Sequence, residues 1–232
     1  MDRYVFDVDG TLTPSRQKIL PNMEKLFLKF ISIKPVYLVT GSNYEKTEEQ
    51  LGKVIVEKVE KVYNCAGSDV WKNGKNIRKS DWVLPYESKI WLDDVLNESH
   101  YPVRTGLHFE NRPGLCNFSI VGRNANLEQR QDYVKYDTEV KERDDIVKKF
   151  NEVFCNIEAS AGGETGIDLY PKGKDKAQII EDFDSSDVIH FFGDRMDKDG
   201  NDHSLSLKAD KIYPVKTWKD TFTIVTVLLG DS

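Results

Sequence analysis

The chain has 232 residues, 39% hydrophobic and 31% charged, with a net charge of −6. That length allows one large domain or two small ones with real cores, and the acidic balance argues against nucleic acid as the main ligand. No apolar run approaches the roughly 18 residues of a membrane span, and Asp2, Arg3, Asp7 and Asp9 interrupt the start where a signal peptide carries its apolar core. A cytoplasmic protein with no membrane partner is therefore expected. Cys65, Cys116 and Cys155 are far apart and odd in number, so they form neither a disulfide framework nor a zinc pattern. Each is expected as a small buried or half-buried apolar residue.

The chain opens on Tyr4-Val5-Phe6-Asp7-Val8-Asp9-Gly10-Thr11-Leu12-Thr13. The apolar run reads as a buried strand, and alternation along it would put Asp7 and Asp9 on one face. Gly10 turns the chain there and leaves both acids at the strand's carboxyl end, the edge where open α/β sheets place their sites. Two such carboxylates repel unless a cation lies between them, and Mg²⁺ prefers hard oxygen ligands. A carboxylate beside such a cation can also attack phosphorus.

Met23, Leu26, Phe27 and Phe30 then recur at helical spacing over 22–32. A second strand, 36–39, is entered through Pro35 and runs out into Thr40-Gly41-Ser42-Asn43. Ser42 or Asn43 can cap the charged helix expected over 43–51, which Gly52 stops. A third strand is expected over 62–65. Strand–helix–strand order with short links implies a parallel, doubly wound sheet. Trp71-Lys72-Asn73-Gly74-Lys75 signals a hairpin.

From there the pattern changes. A helix is expected over 87–97, strands over 107–109 and 116–121 around Arg112-Pro113-Gly114, and mostly helix over 127–154 with Val140, Ile146, Val147, Phe150, Val153 and Phe154 buried. Another strand pair, 157–161 and 167–170, turns at Gly162-Gly163. This is an α+β insert with helices on one face of an antiparallel sheet. The α/β pattern then returns: a helix over 174–183, a strand over 188–192 and a last strand over 211–214. A core of 1–76 plus 172–232 thus flanks an insert of 77–171.

The last part repeats the opening device. Phe191-Phe192-Gly193 delivers Asp194 to a strand's carboxyl end, and Gly200-Asn201-Asp202-His203 brings a further acid on a turn. Asp197, Asp199, Lys172 and Lys174 are expected to be solvated.

Asp7-Val8-Asp9-Gly10-Thr11 resembles motif I of the haloacid dehalogenase (HAD) phosphotransferase superfamily. The longer string Phe6 to Thr13, then Arg16-Gln17-Lys18-Ile19, is similar to the opening of the eukaryotic-type α-phosphomannomutases. Gly173-Lys174-Asp175-Lys176 and His190-Phe191-Phe192-Gly193-Asp194 with Gly200-Asn201-Asp202 match further motifs of that family. The resemblance covers nearly the whole chain, least between about 70 and 105. It implies a HAD-type Rossmann-like doubly wound core with an inserted α+β cap of C2b type, and pairing of two copies through that cap.

The same resemblance implies roles. Asp7 is the nucleophile and Asp9 the general acid/base, with Asp7, the Asp9 backbone carbonyl and Asp194 facing Mg²⁺. Ser42 is the aligned motif II hydroxyl, with Thr40 fitting the broader superfamily. Lys176 neutralises the aspartyl-phosphate, and Asp202 with Asn201 supports that lysine and the loop. Arg112, Arg123 and Arg130 clamp the non-reacting phosphate, Arg16 meets the substrate from the core side, and Asp168 binds sugar hydroxyls. The implied activity interconverts mannose 1-phosphate and mannose 6-phosphate with a hexose 1,6-bisphosphate activator. A HAD sugar-phosphate phosphatase using the same residues is the alternative, and a non-catalytic sugar-phosphate binder is a third reading. The sequence also departs from the family: Gly166 stands where the family has serine, Arg112-Pro113-Gly114-Leu115 replaces Arg-Asn-Gly-Met, and Lys208 replaces an acid that supports a structural cation, so no second metal is expected.

Overall fold

In a computed structural model, which describes residues 1–198 and 200–230, the opening apolar run forms β1 (Asp2–Phe6). After it come α1 (Pro21–Ile31), β2 (Val36–Val39), α2 (Tyr44–Leu51), α3 (Lys53–Lys58) and β3 (Lys61–Asn64). A hairpin, β4 (Asp69–Lys72) and β5 (Lys75–Lys79), turns at Asn73-Gly74 with both residues at positive φ, as Asn-Gly turns require. The intervening unit contains α4 (Tyr86–Glu98), β6 (Phe109–Arg112), β7 (Leu115–Phe118), α5 (Leu127–Val140), α6 (Glu142–Val153), β8 (Ile157–Gly162) and β9 (Gly166–Pro171). The chain closes with a 3-10 turn over Lys176–Asp182, β10 (Val188–Gly193), α7 (His203–Ser206), β11 (Lys211–Pro214) and α8 (Trp218–Gly230).

These elements form two compact units, Met1–Ser80 with Lys174–Ser232, and Asp81–Gly173. The first division falls after residue 80 rather than 76 because β5 is hydrogen-bonded to β4 as the last strand of the first unit's sheet. That sheet has the order β11-β10-β1-β2-β3-β4-β5. Its first five strands are parallel and only the β3–β4–β5 edge is antiparallel.

Alternate residues of β1 serve opposite faces. Tyr4 and Phe6 join Met23, Phe27, Phe30, Ile55, Val56 and Val225 beneath the helices of one side, while Val5 joins Phe191, Ile179 and Leu205 on the other. Phe6 stacks on Phe192 at 4.2 Å, and Phe192 on Tyr213 at the same spacing. Each buried ring contributes about 1.5–3 kcal/mol of transfer free energy, which clamps β1, β10 and β11 in register.

The second unit has a four-stranded antiparallel sheet, β6-β7-β9-β8. Cys116, Phe118, Ile167, Leu169 and Ala159 pack with Leu92, Tyr133, Ile146 and Phe150 of its helices. The 127–154 stretch is two helices rather than one, broken at Lys141 with φ 59°. The break turns Val140 and, farther on, Val153 outward at 45% and 58% exposure, so neither belongs to the buried side expected of them. Asp137 and Arg143 lock the corner: the guanidinium bonds the Asp137 carboxylate and the carbonyls of Gly163 and Gly166. Cys155 is exposed, unlike Cys65 and Cys116. The region over 174–183 begins at Asp175, whose side chain accepts from Ala177 N at 2.8 Å, and is a 3-10 turn rather than the expected α-helix. No helix among the described residues is long and apolar enough to cross a membrane.

Lys141 is exposed and left-handed, a conformation that costs an L-residue about 1 kcal/mol relative to glycine. Lys141→Gly should therefore raise stability by about 0.5–1 kcal/mol in urea unfolding, and an unchanged or lower midpoint contradicts this reading of the corner.

Candidate active site

β1 occupies the point where the winding of the sheet reverses: β2 and β3 extend from one side of it, β10 and β11 from the other. A crevice opens at the carboxyl edge of such a switch point. Asp7 follows β1 directly and Asp194 follows β10 directly, so the two strands that flank the switch each end in an acid. The register Phe6↔Phe192 and the bond from Asp7 N to Phe192 O at 2.9 Å fix their relative height. Asp202, immediately before α7, is the third member: carboxylate oxygens of Asp7, Asp194 and Asp202 all lie within 4.8 Å of one another. The packing is close enough that a Cβ on Gly10, whose φ is +81°, would come within 2.2 Å of Asp194 Oδ2.

One cation from the chain enters this group. Lys176, 2% exposed, donates from Nζ to Asp7 Oδ1 and to Asp202 Oδ1, each at 2.7 Å. Burial alone would lower its pKa, but the charges of Asp202 and Asp7 outweigh that and hold the ammonium well above its ordinary range. Thr11 donates to the other oxygen of Asp7 at 3.1 Å, and Arg195 N to the other oxygen of Asp202 at 3.1 Å.

Three carboxylates against one ammonium leave a surplus of negative charge in a buried place. Its mark is on the acids themselves. Burial drives Asp7 well above the usual carboxylate range, opposed by Lys176 and reinforced by Asp202 and Asp194. Burial, then the charge of Asp202, pushes Asp194 up to about 6. Hard oxygen donors carrying excess negative charge fit a divalent cation such as Mg²⁺.

The Asp9 carboxylate is not in this group. Its Oδ1 accepts from Arg16 N at 2.6 Å and from Gln50 Nε2 at 2.8 Å. Gln50 also reaches Thr13 Oγ1 and the Gln17 carbonyl, tying the loop after β1 to α2. Gln50, buried on α2, is a residue the sequence reading missed; nothing in its local pattern separates it from an ordinary polar helix residue. Arg16 is exposed with φ 58° and serves here through its backbone. Beyond β2, Thr40 is buried and accepts from Ser42 N at 3.1 Å. Asn43, not Ser42, caps α2, its side chain accepting from Lys46 N at 3.0 Å. Asn201 is half-buried in the turn before Asp202. Asp199 lies outside the described residues.

The other expected site residues belong to the second unit: Arg112 and Asp168 stand on its sheet, Arg123 in the loop after β7 and Arg130 on α5. Pairing puts Glu110 opposite Asn117, and Asn117 opposite Asp168. Glu110 joins Arg112 Nε at 2.8 Å and Arg123 Nε at 2.6 Å. Burial would raise its carboxyl, but the hydrogen bond from Arg112 and the two guanidinium charges hold it below the ordinary range. Arg123 Nη1 donates to Asn117 Oδ1 at 3.0 Å, and Asn117 Nδ2 to Asp168 Oδ1 at 2.6 Å. Arg130 projects from α5 and approaches Glu164 at 4.0 Å, at the β8–β9 turn.

Removing the ammonium should show the charge surplus directly. Lys176→Met leaves the acids uncompensated, a loss of about 3 kcal/mol for a broken buried pair. The folded variant then holds protons that the unfolded chain releases, so its deficit relative to wild type should shrink from pH 8 to pH 5. Urea unfolding at both pH values measures it, and a deficit that grows on acidification contradicts the assignment.

The eukaryotic phosphomannomutase family matches residues 23–230, a span that begins after the Asp7–Asp9 loop. A phosphomannomutase of Solanum lycopersicum is 34% identical over 210 residues, covering 87% of this chain and 83% of the relative. Phosphomannomutase 1 of Mus musculus is 34% identical over 214 residues, covering 87% and 81%. Among solved structures, the C-terminal domain of the C. albicans trehalose-6-phosphate phosphatase superposes with a TM-score of 0.66 at 15% identity, covering 99% of this chain and 92% of that one. The N-terminally truncated Plasmodium falciparum IMP-nucleotidase does so at 0.66 and 14%, covering 99% and 70%. These two share the fold. The extent of the family match, with a third of the residues shared with phosphomannomutases of plants and mouse, shows that this chain is an enzyme of the eukaryotic phosphomannomutase family, built on the HAD fold.

Proposed function

We propose that the protein interconverts mannose 1-phosphate and mannose 6-phosphate through a phosphoryl group carried on Asp7, with a hexose 1,6-bisphosphate as activator. The observation that carries this reading is the position of Asp7: at the switch point, between Asp194 and Lys176, in a member of this family. An Asp7 oxygen attacks phosphorus, the bond from phosphorus to the sugar oxygen breaks, and Asp9 gives that oxygen its proton. In the return half, the free hydroxyl of a hexose monophosphate gives its proton to Asp9 and attacks that phosphorus, the bond to Asp7 breaks, and the hexose 1,6-bisphosphate so formed presents its other phosphate to Asp7 in the next half. Lys176 neutralises charge on the acyl phosphate and on Asp202, and the hydroxyl of Ser42 or Thr40 donates to the transferring phosphoryl oxygens.

Asp7 and Asp194, with the Asp9 carbonyl and with Asp202 beside them, would hold Mg²⁺, which supplies neutralisation of the phosphoryl oxygens. Arg112, Arg123 and Arg130 take the phosphate that is not reacting, because a planar guanidinium binds two of its oxygens at once. Arg16 contacts the sugar phosphate, and Asp168 accepts from sugar hydroxyls. On this reading the second unit is a C2b-type cap, the partners are hexose phosphates, two copies pair through the cap, and the enzyme works in the cytoplasm.

Purified protein given mannose 1-phosphate, Mg²⁺ and catalytic glucose 1,6-bisphosphate, followed by phosphorus NMR, tests the reading. Accumulation of mannose 6-phosphate supports it, with turnover falling at least about a thousandfold in Asp7→Asn. Orthophosphate as the sole product assigns the chain to hydrolysis, and turnover surviving in Asp7→Asn removes the nucleophile.

A further inference from the structure

Three consecutive residues beyond β3 have positive φ: Cys65 at 48°, Ala66 at 57° and Gly67 at 99°. Glycine adopts that region freely, and Asn and Asp do so more readily than other residues. Cys65 and Ala66 are neither, and both are buried. Such a conformation persists only where the surroundings hold it.

This segment is held from two directions. Toward the chain leaving β2, Cys65 N donates to the Ser42 carbonyl and Ala66 N to the Thr40 carbonyl, each at 2.9 Å. Toward the 3-10 turn over Lys176–Asp182, the Gln178 amide nitrogen donates to the Ala66 carbonyl at 2.8 Å and to the Lys174 carbonyl at 2.9 Å, with Ser68 Oγ at 3.3 Å. A side-chain amide has two N–H donors, and the two carbonyls engage both. The approach is close: a Cβ at Gly67 would come within 2.9 Å of Ile179 Cγ2 and 3.0 Å of Gln178 Cγ.

Gln178 stands two residues after Lys176, and one of its bonds returns to the carbonyl two residues before it. The side chain therefore closes the turn around the lysine while tying that turn to residues 65–67. Lys176 spends its own ammonium on Asp7 and Asp202, so the backbone that carries it is fixed by other groups. Asp175, which accepts from Ala177 N, is one of them, and Gln178 is the one that reaches across to β3.

We propose that Gln178 is a positioning residue. It locks the turn bearing Lys176 to the left-handed segment 65–67, and through that segment to Thr40 and Ser42. The ammonium and the strand-end hydroxyls are then held in one frame at the carboxyl edge of the sheet. The proposal rests on the roles given above to Lys176, Thr40 and Ser42 and deepens them. Without the amide, residues 65 and 66 relax from positive φ, and the lysine turn loses its anchor.

Gln178→Met keeps the side chain's length and removes its donors, and full-length protein with Mg²⁺ tests the consequence. In the mutase assay kcat should fall about tenfold with KM within about threefold, because the frame serves the reacting centre. Adding Ala66→Gly, which makes positive φ free of steric cost, should recover at least about threefold of kcat. A second readout needs no turnover: the nitrogen NMR signal of the Lys176 ammonium, assigned through its own side-chain carbons. Its protons should exchange with water at least about tenfold faster in Gln178→Met than in wild type. If Gln178→Met does not fold alone, the double variant is compared with Ala66→Gly, and kcat about threefold lower with faster exchange is expected. An ammonium signal unchanged by the loss of Gln178, or a kcat deficit that Ala66→Gly leaves untouched, overturns the proposal. A wild-type protein without mutase turnover overturns the functional reading instead, and the ammonium exchange then decides the role of Gln178.

Discussion

The structure of the first unit's carboxyl edge depends on a charge imbalance. Asp7, Asp194 and Asp202 converge within 4.8 Å, and the buried ammonium of Lys176 is bonded to two of them. Buried ions are costly unless paired, and a pair broken on one side costs several kilocalories per mole. An arrangement with acids in excess stays folded at neutral pH only by taking up protons or a cation. Burial and mutual repulsion raise the pKa of Asp7 and of Asp194, the direction in which acidification would relieve the excess charge. A divalent cation is the other relief, and a reaction that adds further negative oxygens to this place makes it the more effective one.

The two units solve different problems with different sheets. In the first, helices cover both faces, and the functional groups occupy the one part that remains open, the strand ends. In the second, helices cover one face, and Glu110, Asn117 and Asp168 lie on the other, where they alternate with the apolar residues of the core. A strand-end site gathers residues from distant parts of the chain, as Asp7 and Lys176 show. A sheet-face site gathers neighbours through register, as Glu110, Asn117 and Asp168 show.

What was legible in the sequence followed the strength of the local signal. The acid-terminated strands were plain because an apolar run ending in an acid is uncommon and occurs twice, at Asp7 and at Asp194. The doubly wound order followed from strand and helix alternation, and the Asn73-Gly74 hairpin from turn chemistry. The failures are tertiary. Nothing in the pattern over 127–154 marks the left-handed Lys141 that splits the helix and exposes Val140. Nor does the local pattern mark the 3-10 winding over Lys176–Asp182. The last helix, Trp218–Gly230, is rich in threonine, valine and isoleucine, whose local preference is weak, and burial of Val225 decides it. Gln50 and Asn117 carry no sequence mark, because nothing in the local pattern shows which carboxylates they touch.

Binding of Mg²⁺ to the wild-type protein and to Asp194→Asn, measured by titration calorimetry over a range of pH, tests the charge imbalance most directly. The account predicts one tight site per chain, affinity that rises with pH through about 6 as Asp194 gives up its proton, and affinity at least about tenfold weaker in the variant. A wild-type protein that binds no Mg²⁺ at pH 7.5, or binds it as well without the Asp194 carboxylate, would contradict it.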